Sequence, residues 1–482
     1  MNVRSSLNII TNGRTHFSVM KPNRLQERLA ETTVVRNPFL EGEKDMAIRV
    51  WGSISWRYQR LVRSGMVAAF LLAPAILPAQ EAPSSLFKVL EAFNGTNGNF
   101  VGAGPILDSA GNVYGITAAG GDLKCKDTLL RANGLGCGIV FEISNLGQLK
   151  VLHRFTGPPD GAVSFARLVR DSAGNLYGTT IGGGTGTACS TGNPPGCGTL
   201  FKVDKAGKET VLYNFKGTNG GPNGDGSNPE GVLVLDATGN IYGTTGGGGL
   251  GFGTVFKLDS TGKETVLYRF KGVTTISKDG WGPGDLVEDQ AGNLYGTTIF
   301  GGLITPICTG GCGIVYKISK TGKETVLYRF TGDGTNGDGG SPMCTLAIDA
   351  SGNLYGTTEL GGMGHGTIFR ISSTGKETVL HRFNGNDGDG PSGALRRDAT
   401  GNLYGTAGSG GSGTHGVVFR LTKAGQLTVL HNFTGGNDGG EPLGGVVLDS
   451  SNNVYGTTLT GGDLNCKAVQ DSGCGVVYKI TH

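Results

Sequence analysis

Clusters of Asn, Asp and Gly between apolar segments are the parts of this chain best suited to bind a cation. Four such clusters occupy residues 218–225, 333–338, 384–389 and 436–441. Carboxylate and carbonyl oxygens on a flexible backbone are the ligands that Ca²⁺ takes. The same residues are also ordinary turn formers, and no cluster has the spacing of an EF-hand loop with its terminal Glu. Two interpretations, Ca²⁺ ligands or plain turns, therefore stand for Asp225, Asp333, Asp338, Asp387, Asp389 and Asp438.

Histidine gives a weaker indication of chemistry. Three histidines stand where other repeats of the chain have tyrosine, and exchange of one amphipathic ring for another favours packing over catalysis. These are His153, His381 and His431, against Tyr213, Tyr268 and Tyr328. His365 and His415 lie in loops of adjacent repeats, but two ligands without a nearby carboxylate make a weak metal site. No nucleophile elbow, P-loop or HExxH motif stands out, so the sequence indicates no catalytic residue.

Glycine dominates the composition and indicates how these loops are positioned. The chain has 482 residues, of which 90 are Gly, while 37% are hydrophobic and 16% are charged. No G-X-Y period is present, which excludes collagen, and short apolar runs recur throughout, which excludes general disorder. So many glycines between short apolar runs indicate many turns and therefore many short strands.

A motif related to GNLYGTT recurs seven times along the chain. Successive motifs are 63, 65, 53, 60, 49 and 51 residues apart, the range for one propeller blade per repeat. The third repeat shows four predicted strands, a to d, at Val232–Asp236, Asn240–Thr245, Gly253–Leu258 and Glu264–Phe270. The repeats are centred on Tyr114, Tyr177, Tyr242, Tyr295, Tyr355, Tyr404 and Tyr455.

The turn between strands a and b has one signature in every repeat. An Asp begins the turn, and its side chain can accept backbone N–H groups within it. The fourth residue needs a positive φ, which Gly supplies six times and Asn452, the best-tolerated non-glycine type, supplies once. We therefore predict tight hairpins and a structural role for Asp108, Asp171, Asp236, Asp289, Asp349, Asp398 and Asp449.

Counting strands predicts how the repeats close. Strands a, b and c each occur seven times, whereas strand d follows only the first six repeats. A further d-like segment, Leu86–Phe93, precedes the first strand a, and its pairing with the last three strands would remove an unpaired edge. We predict an all-β, seven-bladed β-propeller of four-stranded blades over residues 86–482. A β-solenoid of independent hairpins is the alternative, but it gives no reason for a chain that starts on d and ends on c.

The first 79 residues differ from the rest of the chain in composition, with 11 Lys or Arg, 5 Asp or Glu and only 4 Gly. A basic stretch at residues 57–63 precedes 14 apolar residues, 66–79, that end on a small residue, the plan of a secretory signal. A transmembrane helix would need about 20 apolar residues and would disfavour Pro74 and Pro78. We predict a signal peptide at residues 46–79, beginning at Met46. Residues 1–45 are then a start-site extension or a disordered segment.

Removal of this leader changes the electrostatics. Without it, 30 of the 41 basic and 33 of the 38 acidic residues remain, so the net charge becomes −3 instead of +3. No basic stripe is left to neutralise phosphates, and we expect no nucleic-acid partner. We also expect no membrane span after signal removal, a monomer, and a secreted, periplasmic or cell-surface location.

Eight of the nine cysteines fall in pairs, each within one predicted b–c loop. In an exported chain such pairs predict local disulfide bonds. Zinc is the alternative, but it usually takes two C-x₂-C knuckles or Cys/His sets, which these spacings do not match. The predicted bonds are Cys125–Cys137, Cys189–Cys197, Cys308–Cys312 and Cys466–Cys474. Cys344 remains, in a strand a, where we predict a buried thiol.

The repeat unit runs D-x-x-G-N-L-Y-G-T-T, then G-T-V-F-K-L, then G-K-E-T-V-L-Y-x-F, and is clearest at Asp236–Phe270 and Asp289–Phe330. This unit resembles the Gloeo/Verruco tandem repeat of exported bacterial proteins, over nearly all of the chain after the leader. The resemblance implies a secreted or surface protein of unestablished function. It supplies no catalytic residues.

All the long, irregular segments lie in b–c and d–a loops, which share one face of an antiparallel blade, and binding usually resides in such loops. We expect a non-enzymatic exported binding or scaffold protein for carbohydrate or a surface partner. The disulfide-bonded loops of repeats seven, one and two form the candidate interaction surface, and the alternative is that these bonds only protect an exported protein from proteases. The alternative is a secreted or periplasmic hydrolase or lyase with a carboxylate or Ca²⁺ centre at the axial mouth. That alternative requires loop carboxylates that converge at the axis instead of spreading round the rim.

Overall fold

The computed structural model describes residues 86–125, 135–189, 195–217, 224–274, 278–332, 337–466 and 472–481. The predicted leader, with its segments 1–45 and 46–79, and the candidate ligand Asp333 lie outside the described residues. Within the described ranges the chain is all β, and none of them forms a helix long and apolar enough to cross a membrane.

Thirty strands form seven four-stranded antiparallel sheets and one two-stranded ribbon in the described part of the chain. The first strand is β1 (Leu86–Ala92). Blade 1 contains β2 (Ile106–Leu107), β3 (Val113–Thr117), β4 (Ile139–Ile143) and β5 (Leu149–Arg154). Blade 2 follows, with the ribbon strands β6 (Gly161–Ala162) and β9 (Gly182–Gly183) beside β7 (Val169–Arg170), β8 (Leu176–Thr180), β10 (Thr199–Val203) and β11 (Glu209–Asn214).

The next three blades repeat the same order. Blade 3 contains β12 (Val234–Leu235), β13 (Ile241–Thr245), β14 (Thr254–Leu258) and β15 (Glu264–Arg269). Blade 4 contains β16 (Gly280–Glu288), β17 (Leu294–Gly301), β18 (Ile314–Ile318) and β19 (Glu324–Arg329). Blade 5 contains β20 (Ala347–Ile348), β21 (Leu354–Thr358), β22 (Thr367–Ile371) and β23 (Glu377–Arg382).

The last two blades end the chain and close the ring. Blade 6 contains β24 (Arg396–Arg397), β25 (Leu403–Ala407), β26 (Val417–Leu421) and β27 (Leu427–Asn432). Blade 7 contains β28 (Val447–Leu448), β29 (Val454–Thr457) and β30 (Val476–Thr481), and β1 is its fourth strand. β1 pairs antiparallel with β30 from Leu86 opposite Thr481 to Ala92 opposite Val476. The predicted seven-bladed propeller and its closure by the N-terminal strand are therefore confirmed.

Aromatic rings form the core between neighbouring blades. The phenylalanine that follows strand d of each blade packs on a ring in strand c of the next blade, with centroids 5.0 to 5.2 Å apart at all seven junctions. Phe93 packs on Phe141 in this way, so the N-terminal strand also supplies the contact that joins blade 7 to blade 1. Tilted and edge-on aromatic pairs stabilise beyond the area that they bury.

The glycine of the Tyr-Gly-Thr motif makes room for this ring. A Cβ atom on Gly243 would lie 2.5 Å from the ring of Phe256, which faces it across the b–c ladder. Gly115 stands in the same relation to Phe141, at 2.4 Å. The motif glycine is therefore required by close approach in a strand interior, whereas the turn glycines are required by their positive φ.

Removal of β1 tests the closure of the ring. We expect a chain that begins at residue 94 to melt at a much lower temperature and to self-associate, because β30 becomes an unpaired edge and the Phe93 contact is lost. In the full chain, Phe93→Ala should cost about 3–5 kcal/mol, since this ring is fully buried. Thermal melting and size-exclusion chromatography measure both effects. A chain that begins at residue 84 is the control, and equal melting temperatures for the two truncations would refute the closure.

Candidate functional site at the loop face

The short segments that precede strand a meet one another at the centre of the ring. We call them the central segments: residues 102–104, 165–167, 230–232, 284–285, 343–345, 392–394 and 443–445. Small residues allow them to approach closely, since a Cβ atom on Gly104 of blade 1 would lie 2.3 Å from the carbonyl oxygen of Gly445 in blade 7. Glycine and alanine at this position are therefore imposed by packing between blades.

Three charged residues depart from this small-residue pattern: Arg167, Glu230 and Asp285. Asp285 joins three blades, because its Oδ1 accepts from the backbone N–H of Val232 at 2.8 Å and its Oδ2 accepts from the hydroxyl of Thr345. It also attracts the guanidinium of Arg167, from a fourth blade. Side chains of blades 2, 4 and 5 and the backbone of blade 3 thus interact at one centre.

Arg167 is held at this centre without a full set of partners. Burial lowers the pKa of its guanidinium, and the negative charge of Asp285 opposes that shift. Its Nε is buried and has no hydrogen-bond partner among the described residues. A buried guanidinium nitrogen without an acceptor costs free energy, so a ligand oxygen could stabilise this side chain.

Glu230 lies in the neighbouring central segment and is surrounded by protein, although solvent still reaches it. We therefore infer that Glu230 lines the open end of the central channel, which we call the mouth. Burial is what raises the pKa of its carboxyl. Its carboxyl points towards Gly246, which lies in the b–c loop of the same blade. The mouth therefore opens on the face of the b–c and d–a loops, which we call the loop face.

An apolar sector completes the mouth. Phe165 and Leu459 lie on either side of Gly102, at 3.7 and 3.6 Å from the place of its Cβ atom. Phe165 and Leu443 also pack against the core cluster of blades 1 and 2, and both keep part of their surface exposed. The centre therefore presents charged groups beside an aromatic ring.

The predicted loop carboxylates do not reach this centre. In six blades the d–a loop Asp accepts a hydrogen bond from the tyrosine or histidine of strand d, with distances between 2.5 and 3.1 Å. We call each of these a rim pair: His153–Asp160, Tyr213–Asp225, Tyr268–Asp279, Tyr328–Asp338, His381–Asp387 and His431–Asp438. The candidate ligands Asp225, Asp338, Asp387 and Asp438 are thus spread round the rim, one to a blade.

The candidate ligand Asp389 and the seventh blade differ from this arrangement. Asp389 lies 3.1 Å from Nδ1 of His365 and accepts from the hydroxyl of Ser409, apart from the other candidates. In blade 7 the donor and acceptor exchange positions, because the amide of Asn97 donates to the carboxylate of Glu91 at 2.9 Å. The hydrogen bond is kept although both residue types differ.

Four of the rim pairs face a second carboxyl, from the first residue of strand d in the next blade. These residues are Glu209, Glu264, Glu324 and Glu377, and Oε1 of each is buried without a hydrogen-bond partner among the described residues. Burial, and then the nearby Asp carboxylate, raise the pKa of each to about 7. At neutral pH these carboxyls are therefore partly protonated.

The a–b turns lie on the opposite face and are closed by their Asp side chains. Asp236 accepts from the backbone N–H of Thr238 and Asn240, from the Asn240 amide and from the hydroxyl of Tyr242, at 2.7 to 3.1 Å. Partial burial alone would raise the pKa of this carboxyl, but these bonds together lower it. The pKa of the motif tyrosine shifts in the opposite direction. Burial and the interaction with Asp236 together raise the pKa of Tyr242 to about 12. The other six turns repeat the bonds from Asn and Tyr to Asp.

The four predicted disulfide bonds are present, as Cys125–Cys137, Cys189–Cys197, Cys308–Cys312 and Cys466–Cys474. The cysteine spacing did not predict that the second cysteine of each bond occupies a position that every blade has. The residue before the glycine that leads into strand c is Cys in four blades, Phe252 in blade 3, and His365 and His415 in blades 5 and 6. In five blades the side chain at this position lies over the first glycine of the next d–a loop: Cys197 over Gly217, Phe252 over Gly272, Cys312 over Gly332, His365 over Gly385 and His415 over Gly435. We call this the cover position. The X-Gly dipeptide that recurs before strand c is the sequence signal for it.

Cys344 is the free cysteine of the described chain, and it is buried as predicted. Burial raises the pKa of its thiol to about 11. The thiol is hydrogen bonded to the backbone of Thr357 in strand b of the same blade. This thiol is therefore a core group and not a nucleophile.

Comparisons with known proteins agree with this architecture. The Gloeobacter/Verrucomicrobia repeat matches residues 79–302 and 273–470. No curated protein sequence matches the chain. Among solved structures, virginiamycin B lyase from Staphylococcus aureus is similar at 15% identity and a TM-score of 0.50, over 82% of this chain and 100% of the lyase.

Two further solved structures are more distant. A gluconolactonase from Xanthomonas campestris is 17% identical with a TM-score of 0.36, over 59% of this chain and 78% of the enzyme. The extracellular domain of a one-component system from B. thetaiotaomicron is 10% identical with a TM-score of 0.47, over 81% of this chain and 39% of that domain. The likeness to virginiamycin B lyase, at 15% identity, shows the fold alone.

The carboxyl pairs predict how stability depends on pH. The pKa of Glu209, Glu264, Glu324 and Glu377 is raised to about 7 from 4.5 in the unfolded chain, so their contribution is complete below pH 4.5 and is lost as the pH rises through about 7. We expect the melting temperature to fall between about pH 5 and pH 8, by about 2–4 °C for each kcal/mol lost. These side chains are only partly buried, so solvent screening reduces the effect.

Variants within the repeat check this assignment. Glu→Leu at all four positions should flatten the dependence without unfolding the protein, since Leu427 occupies the same place in blade 6. Leu427→Glu should steepen it by adding a carboxyl beside Asp387. An unchanged slope in both variants, measured by thermal melting across the pH range, would contradict the assignment.

Proposed function

The chain belongs to the Gloeobacter/Verrucomicrobia repeat family, and we propose that it is an exported protein that binds an acidic carbohydrate at its central mouth without catalysing a reaction. The position of Arg167 at the centre, with its Nε buried and without a hydrogen-bond partner among the described residues, is the observation that carries this proposal. The four disulfide bonds and the family indicate an extracellular location. We extend this to a signal peptide at residues 46–79, residues 1–45 as an extension outside the mature protein, and a monomeric propeller.

The chemistry of the mouth suits a sugar that bears a carboxylate. A guanidinium pairs with a carboxylate through two parallel hydrogen bonds, and Arg167 has a buried nitrogen to offer. Asp285 and Glu230 are acceptors for sugar hydroxyls. The exposed part of Phe165 supplies an apolar surface for a sugar ring.

The rim carboxylates support binding over catalysis. An axial carboxylate or Ca²⁺ centre built from the loops would need Asp225, Asp338 and Asp387 together, but each is bonded to the strand-d ring of its own blade. We propose that these residues order the d–a loops, and that Ca²⁺ is not needed for folding or binding. Calorimetric titration with Ca²⁺ tests this part, and stoichiometric heat would overturn it.

One observation favours the alternative of a hydrolase or lyase. Burial raises the pKa of Glu230, which brings this carboxyl closer to the pH at which it can both donate and accept a proton. Glu230 lies in the central segment that follows that of Arg167. Incubation of the protein with the acidic oligosaccharides that it binds, followed by mass spectrometry of the products, separates the two functions.

Substitution of Arg167 tests the proposed binding site. Arg167→Met should weaken binding of an oligosaccharide of uronic acids by about 10–100-fold, since one charge-assisted interaction contributes about 1.5–3 kcal/mol. Isothermal titration calorimetry measures the loss, and Lys150→Met, which removes the same charge from the exposed side of an outer strand, is the matched control. Equal affinities of the wild type and Arg167→Met would refute the site.

A further inference from the structure

The junction between blades 1 and 2 carries a set of side chains that no other described junction has. His153 on β5 and Asp160 in the following loop form the rim pair, and Glu209 at the start of β11 faces them from blade 2. We propose that these three residues bind a divalent transition-metal ion, with zinc as the representative ion. This site lies on the rim and is independent of the proposed carbohydrate mouth.

The geometry is close to that of a three-ligand site. Nε2 of His153 lies 3.1 Å from Oδ2 of Asp160, and the nearest ligand atoms of all three residues lie within 4.8 Å of one another. Two atoms bound to one tetrahedral zinc ion at about 2.1 Å stand about 3.4 Å apart. A small rotation of the Glu209 side chain therefore completes the set.

The third ligand is available for this role. Oε1 of Glu209 is buried and has no hydrogen-bond partner among the described residues. The other two ligands are already oriented, since the ring of His153 packs edge-on against Phe155 and Asp160 accepts from the backbone of Thr156 and Gly161. Such hydrogen bonds and ring contacts hold metal ligands in place.

The other junctions explain why the set is unusual. Where the second carboxyl is Glu264, Glu324 or Glu377, the ring of the rim pair is a tyrosine. Where the ring is His381, the facing position is Leu427, and where it is His431, that position is Phe87, which stacks on it. Histidine, Asp and Glu therefore coincide once among the described residues.

The ligand types indicate the class of ion. An imidazole nitrogen with two carboxylates suits zinc, manganese, iron or cobalt, whereas Ca²⁺ and Mg²⁺ prefer oxygen ligands alone. Because His153 and Glu209 come from strands d of two blades, the ion would join the blades at the rim.

The repeat supplies matched variants for the test. Calorimetric titration of the tag-free chain with Zn²⁺ should show one equivalent bound and a raised melting temperature. His153→Tyr installs the ring that blade 2 uses, keeps a partner for Asp160, and should weaken binding by at least about tenfold. Glu209→Leu, which matches Leu427, should have the same effect.

A gain of binding provides the converse test. Tyr213→His should place a histidine beside Asp225 and Glu264 and raise the stoichiometry from one to two equivalents. Co²⁺ should report each site by its visible absorption, with a second equivalent in this variant. Absence of Zn²⁺ and Co²⁺ binding in the wild type, or equal binding by His153→Tyr, would overturn the proposal.

Discussion

The packing of the last phenylalanine of strand d on the strand-c ring of the next blade is the contact on which the rest of the propeller depends. It recurs at all seven junctions with nearly one distance, and it is the only ring-to-ring contact that every junction shares in the described chain. It requires a glycine opposite the ring, as Gly243 stands opposite Phe256. The glycine of the Tyr-Gly-Thr motif therefore recurs in each blade because packing between blades requires it.

Around this core, equivalent positions of the seven blades hold different residue types, but one contact is kept at each position. The rim pair uses Tyr213 or His153 as its ring, and blade 7 replaces both members by Glu91 and Asn97 with the hydrogen bond intact. The cover position accepts a disulfide, a phenylalanine or a histidine. Such freedom follows because these positions contribute one hydrogen bond or one buried face each, a small part of the stability that the seven junctions supply.

Function is best sought where the repeats depart from one another. The carboxylates of the six rim pairs share one hydrogen bond, to the strand-d ring of their blade, whereas Arg167, Glu230 and Asp285 place charge at a centre where the other central segments are uncharged. A buried guanidinium without its full set of hydrogen bonds destabilises the folded state, and the fold itself does not require such a group. The same reasoning distinguishes His153 with Glu209 from the junctions that use tyrosine or leucine.

The sequence by itself determined the strand order, the number of blades, the closure by the N-terminal strand, the Asp-closed turns and the disulfide pairs, because each depends on spacing within one repeat or on a local steric rule. For example, Asn452 stands where the other a–b turns have glycine, and it has the predicted positive φ, 62°. Only the tertiary structure decided that Asp225 and Asp338 bond their strand-d rings, and that the charges of Arg167 and Asp285 interact at the centre. Those contacts could not be predicted from spacing, because closure of the ring brings together residues of different blades whose separation in sequence carries no periodic signal.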